Sequence, residues 1–181
     1  MIQLPTFLDI ETSSLKADRG RVTAIGLLKG KNLTIRPAWE SEEEKSLIEW
    51  MNSELGKDTV VTWYGSKFDI PFLLTRSALL NIDPDPLLKA PKLDLYQKCE
   101  KNLNLSSYSL KSVARFLNIK PKSEFSGKDM VGLHKLAKKG NEKAKSALLN
   151  HCKDDLTTLK QVYQHLKPYI KNRDVPYEKF R

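Results

Sequence analysis

The sequence predicts an α/β fold in which a mixed β-sheet is flanked by α-helices. Three strand-like apolar runs come first, from Gln3 to Ile10, from Val22 to Leu28 and from Leu33 to Ile35. The last two are joined by Lys29-Gly30-Lys31-Asn32, which suits a hairpin turn. A β-branched run from Thr59 to Trp63 follows a helical segment, so it needs a helical crossover and can pair in parallel.

Helical segments alternate with these runs and then follow them. Ser41 with Glu44 three residues later forms a capping box, which predicts a helix that ends at Gly56. Pro71 lies in the first turn of a second helix, from Phe68 to Leu80, where proline is tolerated. A proline-rich loop at 82–86 and a short strand or helix start near 93–95 come next, followed by helices from Ser109 through Leu117, from Lys128 to Gly140 and from Asn141 to about Lys167.

Length and composition predict one domain over residues 1–181. The chain is 40% apolar and 29% charged, which is typical of a globular protein. No apolar run approaches the roughly 18 residues of a membrane span, and the first residues do not resemble a secretory signal. We therefore expect a cytoplasmic protein with no membrane partner, in which Cys99 and Cys152 are reduced thiols.

The net charge of +9 is unevenly distributed along the chain. Residues 1–100 contain 13 Lys and Arg against 15 Asp and Glu, whereas residues 101–181 contain 18 against 7. The two parts thus carry −2 and +11, which indicates a polyanionic partner. A lysine-rich composition that serves solubility alone is the alternative.

Two acidic residues interrupt the first strand, and a third follows the fourth. In FLDIET, Asp9 and Glu11 alternate with apolar residues, so both side chains leave the strand on one face. Asp69 follows a strand and a short turn and lies at a helix start, the position where open α/β sheets bind ligands. The alternative role for Asp69 is a helix cap.

A fourth acid lies in the last predicted helix. His151 and Asp155 share the apolar stripe of this helix with Leu148, Leu159 and Val162, at about 100° per residue. A core histidine that is hydrogen-bonded to the aspartate one turn away would explain the pair without a function. Asp154 is an alternative acid, but it lies off the stripe.

The four acids become informative when they are taken together. Carboxylates at one sheet edge repel one another and raise one another's pKa values unless cations neutralise them. Oxygen ligands suit Mg²⁺ or Mn²⁺, whereas zinc prefers His and Cys. Two such ions about 4 Å apart would activate a water and stabilise the leaving oxygen in a phosphodiester displacement.

Three motifs carry a family resemblance. FLDIET, FDIPFL and HCKDD occur in the order of the three exonuclease motifs, and the set resembles the DnaQ-like (DEDD) 3′-5′ exonuclease superfamily, which has a ribonuclease H-like fold. FDIPFL looks most like the proofreading domains of family B DNA polymerases and the small stand-alone exonucleases related to them. The segment KLDLYQKCEKNLNLSSYSLKSVARFLNI, with Asp94, is similar to the one that joins their second and third motifs. The resemblance covers about Leu4 to Leu166.

The resemblance implies a metal-dependent 3′-5′ exonuclease that hydrolyses single-stranded DNA and releases nucleoside 5′-monophosphates, with a role in DNA repair. Asp9, Glu11 and Asp155 would hold one Mg²⁺ or Mn²⁺, and Asp9 with Asp69 would hold the second. His151 would position or deprotonate the attacking water, which its near-neutral pKa permits.

Two positions depart from the family pattern. His151 stands four residues before the acid, where that subclass carries a tyrosine, and the histidine subclass places its base one residue further away. Tyr64 stands five residues before Asp69, where asparagine is common.

The residues expected to contact nucleic acid are Tyr64, Lys67, Tyr108, Lys120, Lys122 and Lys128. The basic stretch from Lys120 to Lys145 would follow the phosphate backbone. Phe125 and Tyr108 could stack on bases, whereas the helical spacing of Phe116 favours the core. The three tryptophans, Trp39, Trp50 and Trp63, are expected to be structural.

Three other activities remain open from the sequence. They are a 3′-5′ exoribonuclease, a structure-selective ribonuclease H-like endonuclease and a catalytically silent nucleic-acid-binding module. A homo-oligomer that forms a ring or clamp would explain processivity.

Overall fold

The computed structural model describes residues 4–123 and 127–170, and its centre is a mixed five-stranded sheet. The strands are β1 (Thr6–Thr12), β2 (Val22–Lys29), β3 (Asn32–Pro37), β4 (Val60–Thr62) and β5 (Lys92–Asp94). They lie in the order β3-β2-β1-β4-β5, with antiparallel pairing among β3, β2 and β1 and parallel pairing from β1 through β4 to β5. The predicted mixed sheet is confirmed.

Helices cover both faces of the sheet. They are α1 (Glu43–Glu54), α2 (Asp69–Leu80), α3 (Asp85–Lys89), α4 (Leu95–Asn102), α5 (Leu110–Phe116), α6 (Gly127–Lys138) and α7 (Glu142–Leu166). All five predicted helices are present, and Ser109 and Asn141 cap α5 and α7 through their side chains as expected. The sequence did not predict α3, which lies in the proline-rich loop.

Alternation along β1 separates two apolar layers. Phe7 packs on one face with residues of α4, α5 and α7, whereas Leu8 packs on the other with residues of α1, α2 and α3. Because alternate side chains share a face, Asp9 and Glu11 leave β1 on the face that α7 covers. The alternation that the sequence showed thus directs both carboxylates toward the last helix.

A glycine allows α7 to approach the sheet closely. Gly26 in β2 pairs with Asp9 in β1. A Cβ atom at this glycine would lie 2.5 Å from Leu156 Cδ1 and 2.6 Å from Cys152 Sγ, both in α7. The missing side chain therefore brings α7, which carries Asp155, against the strand that carries Asp9.

Two local predictions are wrong. The helix α1 begins without a side-chain cap, and Glu44 is buried with its carboxylate 2.7 Å from Arg76 Nη2 in place of a bond within a capping box. Phe116 is 61% exposed because α5 ends at this residue and turns Val113 and Ala114 to the core.

Two other expectations concern cysteines and membranes. Cys99 and Cys152 are free and buried, as predicted. Across residues 4–123 and 127–170, no helix combines the length and apolar character needed to cross a bilayer.

Candidate active site

A cavity of about 660 Å³ opens beside the carboxyl end of β1. Its lining includes residues from β1, from the segment that follows β4, and from α2, α4, α5, α6 and α7. The predicted catalytic and metal-binding residues, Asp9, Glu11, Asp69, His151 and Asp155, all line it. The fold thus brings together residues from three segments of the chain that lie far apart in sequence.

The first three acids are positioned by β1 and α2. Asp9 is half-buried, while Glu11 and Asp69 are each only 5% exposed. Asp69 is the first residue of α2, and the helix has no side-chain cap. Hydrogen bonding from the backbone N–H groups of Asp69 itself and of Ile10 in β1 opposes the rise in the pKa of this carboxyl. The predicted location at a helix start is confirmed, and the side chain lines the cavity.

The carboxylates oppose one another electrostatically. Burial, followed by the negative charges of Asp155 and other cavity acids, raises the pKa values of Asp9 and Glu11 well above their usual range. Burial is also the main reason why the pKa of Asp69 rises to about 7, with Asp94 and Asp155 adding to it. Burial raises the pKa of Asp155 as well. Such a cluster is unfavourable by itself and favours a bound cation.

His151 has different neighbours at its two ring nitrogens. Nε2 lies 3.6 Å from Asp155 Oδ2, and Nδ1 lies 2.9 Å from Ser123 Oγ. Burial lowers the pKa of His151, although the negative charge of Asp155 opposes that shift. The imidazole is therefore neutral near pH 7, as a general base must be.

The side chains of Asp154 and Asp155 have different surroundings. Asp154 is buried, and its carboxylate accepts the backbone N–H groups of Lys122 and Ser123. Only Asp155 lines the cavity. The helical stripe that favoured Asp155 over its neighbour in the sequence therefore gives the same assignment as the contacts.

The family follows from a comparison with protein-family models. The model of the RNase H superfamily matches residues 6–167, which is most of the chain. The protein belongs to the RNase H superfamily. The predicted ribonuclease H-like fold is confirmed, in agreement with the resemblance to DnaQ-like exonucleases.

A solved polymerase shares the fold of this RNase H superfamily member. The family B DNA polymerase from the hyperthermophilic archaeon Pyrobaculum calidifontis matches with a TM-score of 0.79 and 16% sequence identity. The match covers 93% of this chain and 25% of the polymerase chain, so the protein spans about a quarter of that polymerase. No curated protein matches the sequence. Superfamily membership and the acidic cavity together support a nuclease, for which the substrate is a nucleic acid.

Aromatic side chains form one wall of the cavity. We call Trp63, Tyr64, Tyr96 and Tyr108 the aromatic wall. Ring centroids of Tyr64 and Tyr96 are 4.8 Å apart, and those of Tyr96 and Tyr108 are 6.2 Å apart. Tyr64 is 45% exposed and has a positive φ of 63°, and Asp94 accepts its backbone N–H. The family's asparagine position is thus occupied by an aromatic ring that faces the cavity.

Sequence reasoning missed several residues of the site. Lys111 lines the cavity, and its positive charge lowers the pKa of Asp155. His134 in α6 lies with Nε2 at 3.9 Å from Glu11 Oε2. Tyr96 and Lys111 fall within the segment that carried the family resemblance, but no periodicity singles them out. Trp63 was expected to be structural, and it lines the cavity in addition to packing beside the core.

The predicted lysine contacts lie outside the cavity. Tyr64 and Tyr108 line it, whereas Lys67, Lys120 and Lys122 are exposed elsewhere. The side chain of Lys128 and the whole of Phe125 fall outside the described residues. The lysines therefore remain predicted contacts for nucleic acid beyond the reaction centre.

The acids fit a divalent cation in chemistry. Among the described residues, no three His, Cys, Asp or Glu side chains already stand in a metal-binding arrangement. The negative charges of the cavity acids raise one another's pKa values, so a cation bound among them would be favourable. Their oxygens are the ligands that Mg²⁺ and Mn²⁺ prefer, and nucleases of the RNase H superfamily generally use divalent ions.

Proposed function

We propose that the protein is a metal-dependent 3′-5′ exonuclease that acts on single-stranded DNA. One observation carries the proposal: a single cavity contains Asp9, Glu11, Asp69 and Asp155 together with His151. Acids with a nearby base are the groups that hydrolysis of a phosphodiester requires. Direction and strand preference come from the motif resemblance and from the aromatic wall.

Five residues of the cavity have a role in the proposed reaction. Asp9, Glu11 and Asp155 would hold one divalent ion, and Asp9 with Asp69 would hold the other. When bound, two such ions stabilise the negative charge that develops on the attacking and leaving oxygens. His151 accepts a proton from water as the water oxygen forms a bond to phosphorus. The bond from phosphorus to the 3′ oxygen breaks, which releases a nucleoside 5′-monophosphate, and the 3′ oxygen takes a proton from solvent to become a new 3′ hydroxyl.

The aromatic wall supports a single-stranded substrate. An exposed ring such as that of Tyr64 can stack on the face of an unpaired base. Stacking of this kind contributes roughly 1–3 kcal/mol per base and tolerates any sequence. Tyr64 and Tyr108 face the cavity that contains the carboxylates, so a terminal base on the wall would lie close to the scissile phosphate.

Several finer expectations belong to the same proposal. They are Mg²⁺ or Mn²⁺ as the ions, a single domain over residues 1–181, a cytoplasmic location, a role in DNA repair and assembly into a homo-oligomer. The proposed chemistry needs divalent ions but does not depend on the other four expectations.

A degradation assay tests the proposed function. Single-stranded DNA and RNA of one sequence, each labelled at the 5′ end, are incubated with the protein and Mg²⁺, and circular DNA is included. We expect a ladder that shortens from the 3′ end, faster loss of DNA than of RNA and no cleavage of the circle. EDTA and Asp9→Ala should abolish the ladder, whereas the exposed Asp18→Ala should keep it.

Each other outcome of this assay would indicate a different function for the protein. Cleavage of the circle would identify an endonuclease, and faster loss of RNA would identify an exoribonuclease. Intact strands that are nevertheless retarded in a binding gel would indicate a silent binding module.

A further inference from the structure

A short segment before α6 is fixed to the catalytic helix. The carboxylate of Asp154 accepts the N–H of Lys122 at 3.0 Å and that of Ser123 at 2.8 Å. Asp154 is only 6% exposed. Hydrogen bonds from backbone N–H groups to an ionised carboxylate are among the stronger ones in proteins, so they hold Ser123 in a defined place beside α7.

The anchored serine touches the candidate base. Ser123 Oγ lies 2.9 Å from His151 Nδ1, which is a hydrogen-bond distance. The other ring nitrogen, Nε2, lies 3.6 Å from Asp155 Oδ2, which is too far for a hydrogen bond. A proton on Nδ1 therefore has an acceptor in the protein, whereas a proton on Nε2 would have none from Asp155.

We propose that Ser123 is a positioning residue that sets the tautomer of His151. The serine oxygen accepts the Nδ1–H group, which leaves the Nε2 lone pair free on the side of the cavity acids. Which nitrogen of a histidine carries the proton depends on the hydrogen bond that the other nitrogen makes. This inference rests on the proposed function, because only a base needs a free Nε2.

Asp154 has a matching part in this arrangement. It anchors the segment that carries Ser123, and the adjacent Asp155 faces the cavity. Two neighbouring acids on α7 thus perform two tasks, and Asp154, the first acid of HCKDD, is not a spare ligand.

The tautomer can be measured without any nuclease activity. Long-range ¹H–¹⁵N spectra of histidine-labelled, metal-free protein at mildly alkaline pH distinguish the two forms, and His151→Gln assigns the signals. We expect the Nδ1–H form in the wild type and a shift toward the Nε2–H form in Ser123→Ala. Ser146 is exposed on α7, the helix that carries His151, so Ser146→Ala should leave the histidine spectrum unchanged. An Nε2–H form in the wild type, or an unchanged ring in Ser123→Ala, would overturn the inference.

Kinetics give a second and separate test. Ser123→Ala should lower kcat on single-stranded DNA by about ten- to hundredfold, the range seen when a hydrogen-bond partner that orients an active-site histidine is removed, with little change in KM. Ser123→Thr, which keeps the hydroxyl, should restore most of the rate. In the His151→Gln background, Ser123→Ala should have no further effect, and an equal loss there would mean that the serine acts elsewhere. If the wild type degrades no nucleic acid, the proposed function fails, and the spectra still decide the role of Ser123.

Discussion

At the scale of single residues, the acids that support activity oppose stability. Asp69 has a pKa of about 7 in the fold against 3.8 as its ordinary value, chiefly because it is buried. An acid with a raised pKa binds more protons in the folded than in the unfolded state. Its contribution is therefore most favourable at low pH and is lost as the pH rises from 3.8 to about 7.

A neutral residue at position 69 should stabilise the metal-free protein. We expect Asp69→Asn to raise the free energy of unfolding at mildly alkaline pH by roughly 1 to 4 kcal/mol, since each pKa unit corresponds to about 1.4 kcal/mol. Mg²⁺ should raise the melting temperature of the wild type and have less effect on the variant, which has lost a predicted ligand. Urea unfolding with EDTA and melting curves with Mg²⁺ measure both effects.

The exposed Asp18→Asn serves as the matched control and should change neither quantity. A destabilised Asp69→Asn in the presence of EDTA would show that the carboxylate is already neutralised within the fold.

The residues that the sequence revealed are those whose chemistry conflicts with their position. Asp9 and Glu11 interrupt an apolar strand, and His151 interrupts an apolar helical stripe, so pattern alone selects them. Tyr96 and His134 show no such conflict, because half-buried tyrosines and buried histidines are ordinary. The place of Tyr96 at the cavity and the contact of His134 with Glu11 depend on packing between distant segments, which no local pattern records.

At the scale of elements, an ion pair connects two helices and a strand. Glu44 in α1 is 1% exposed and binds Arg76 in α2 through Oε2 at 2.7 Å from Nη2. Its Oε1 also accepts the backbone N–H of Val22 at the start of β2. This pair replaces the capping box that the sequence predicted, because a partner 32 residues away competes for the carboxylate.

Removal of the arginine should cost more than removal of a surface cation. Arg76→Ala would leave a buried charge without its partner, and we expect a loss of about 3–5 kcal/mol in the free energy of unfolding. The exposed pair of Lys45 and Glu49, 3.9 Å apart, provides the control. Lys45→Ala should cost no more than about 1 kcal/mol. Equal losses in urea unfolding would mean that burial does not strengthen the Glu44 contact.

The close approach of α7 to the sheet also depends on one position. Gly26→Ala would place a methyl group against Leu156 and Cys152, so α7 must shift. Overpacking of this kind costs about 1–3 kcal/mol, and the shift should move Asp155 away from Asp9 and lower kcat. Urea unfolding and the degradation assay measure the two effects.

Gly56→Ala is the control, because a Cβ there meets nothing within 4 Å. Normal activity in Gly26→Ala would show that the separation of α7 from the sheet is not critical.

Element boundaries could be predicted where polar caps and periodic apolar residues agree. Ser109 and Asn141 begin α5 and α7 as their capping chemistry indicates. The five-residue α3 was missed because Pro84 and Pro86 suggested a loop, although proline also suits a first helical turn. The eight-residue α4 was predicted only as an ambiguous start, because it follows β5 without a linker and Asp94 both ends the strand and caps the helix.

At the scale of the whole molecule, the net positive charge of the chain contrasts with the negative charge of the acidic cavity, although one nucleic-acid substrate would contact both. The chain carries +9, and residues 101–181 carry +11 by count, yet the reaction centre is a cluster of acids. A polyanion would be repelled at the cavity and attracted by the basic second half, so we expect lysines outside the cavity to contribute to binding. The exposed Lys120 and Lys122 precede the helices that carry His134 and His151.

Binding of single-stranded DNA should therefore depend strongly on salt. With the Asp9→Ala variant, which would leave the probe intact, we expect the logarithm of the binding constant to fall with the logarithm of salt concentration. The slope should lie between about −2 and −4, because each neutralised phosphate of a single strand contributes about −0.7. Fluorescence anisotropy of a labelled oligonucleotide measures this slope.

The same measurement should distinguish the contribution of charged side chains to binding from that of aromatic stacking. Lys120→Ala with Lys122→Ala should make the slope shallower by about 1 to 1.5, since two phosphate contacts are lost. Tyr64→Ala should weaken binding at every salt concentration and leave the slope unchanged, because a ring contributes no charge. A slope near zero in the Asp9→Ala protein would mean that the positive charge of the second half serves another purpose than binding DNA.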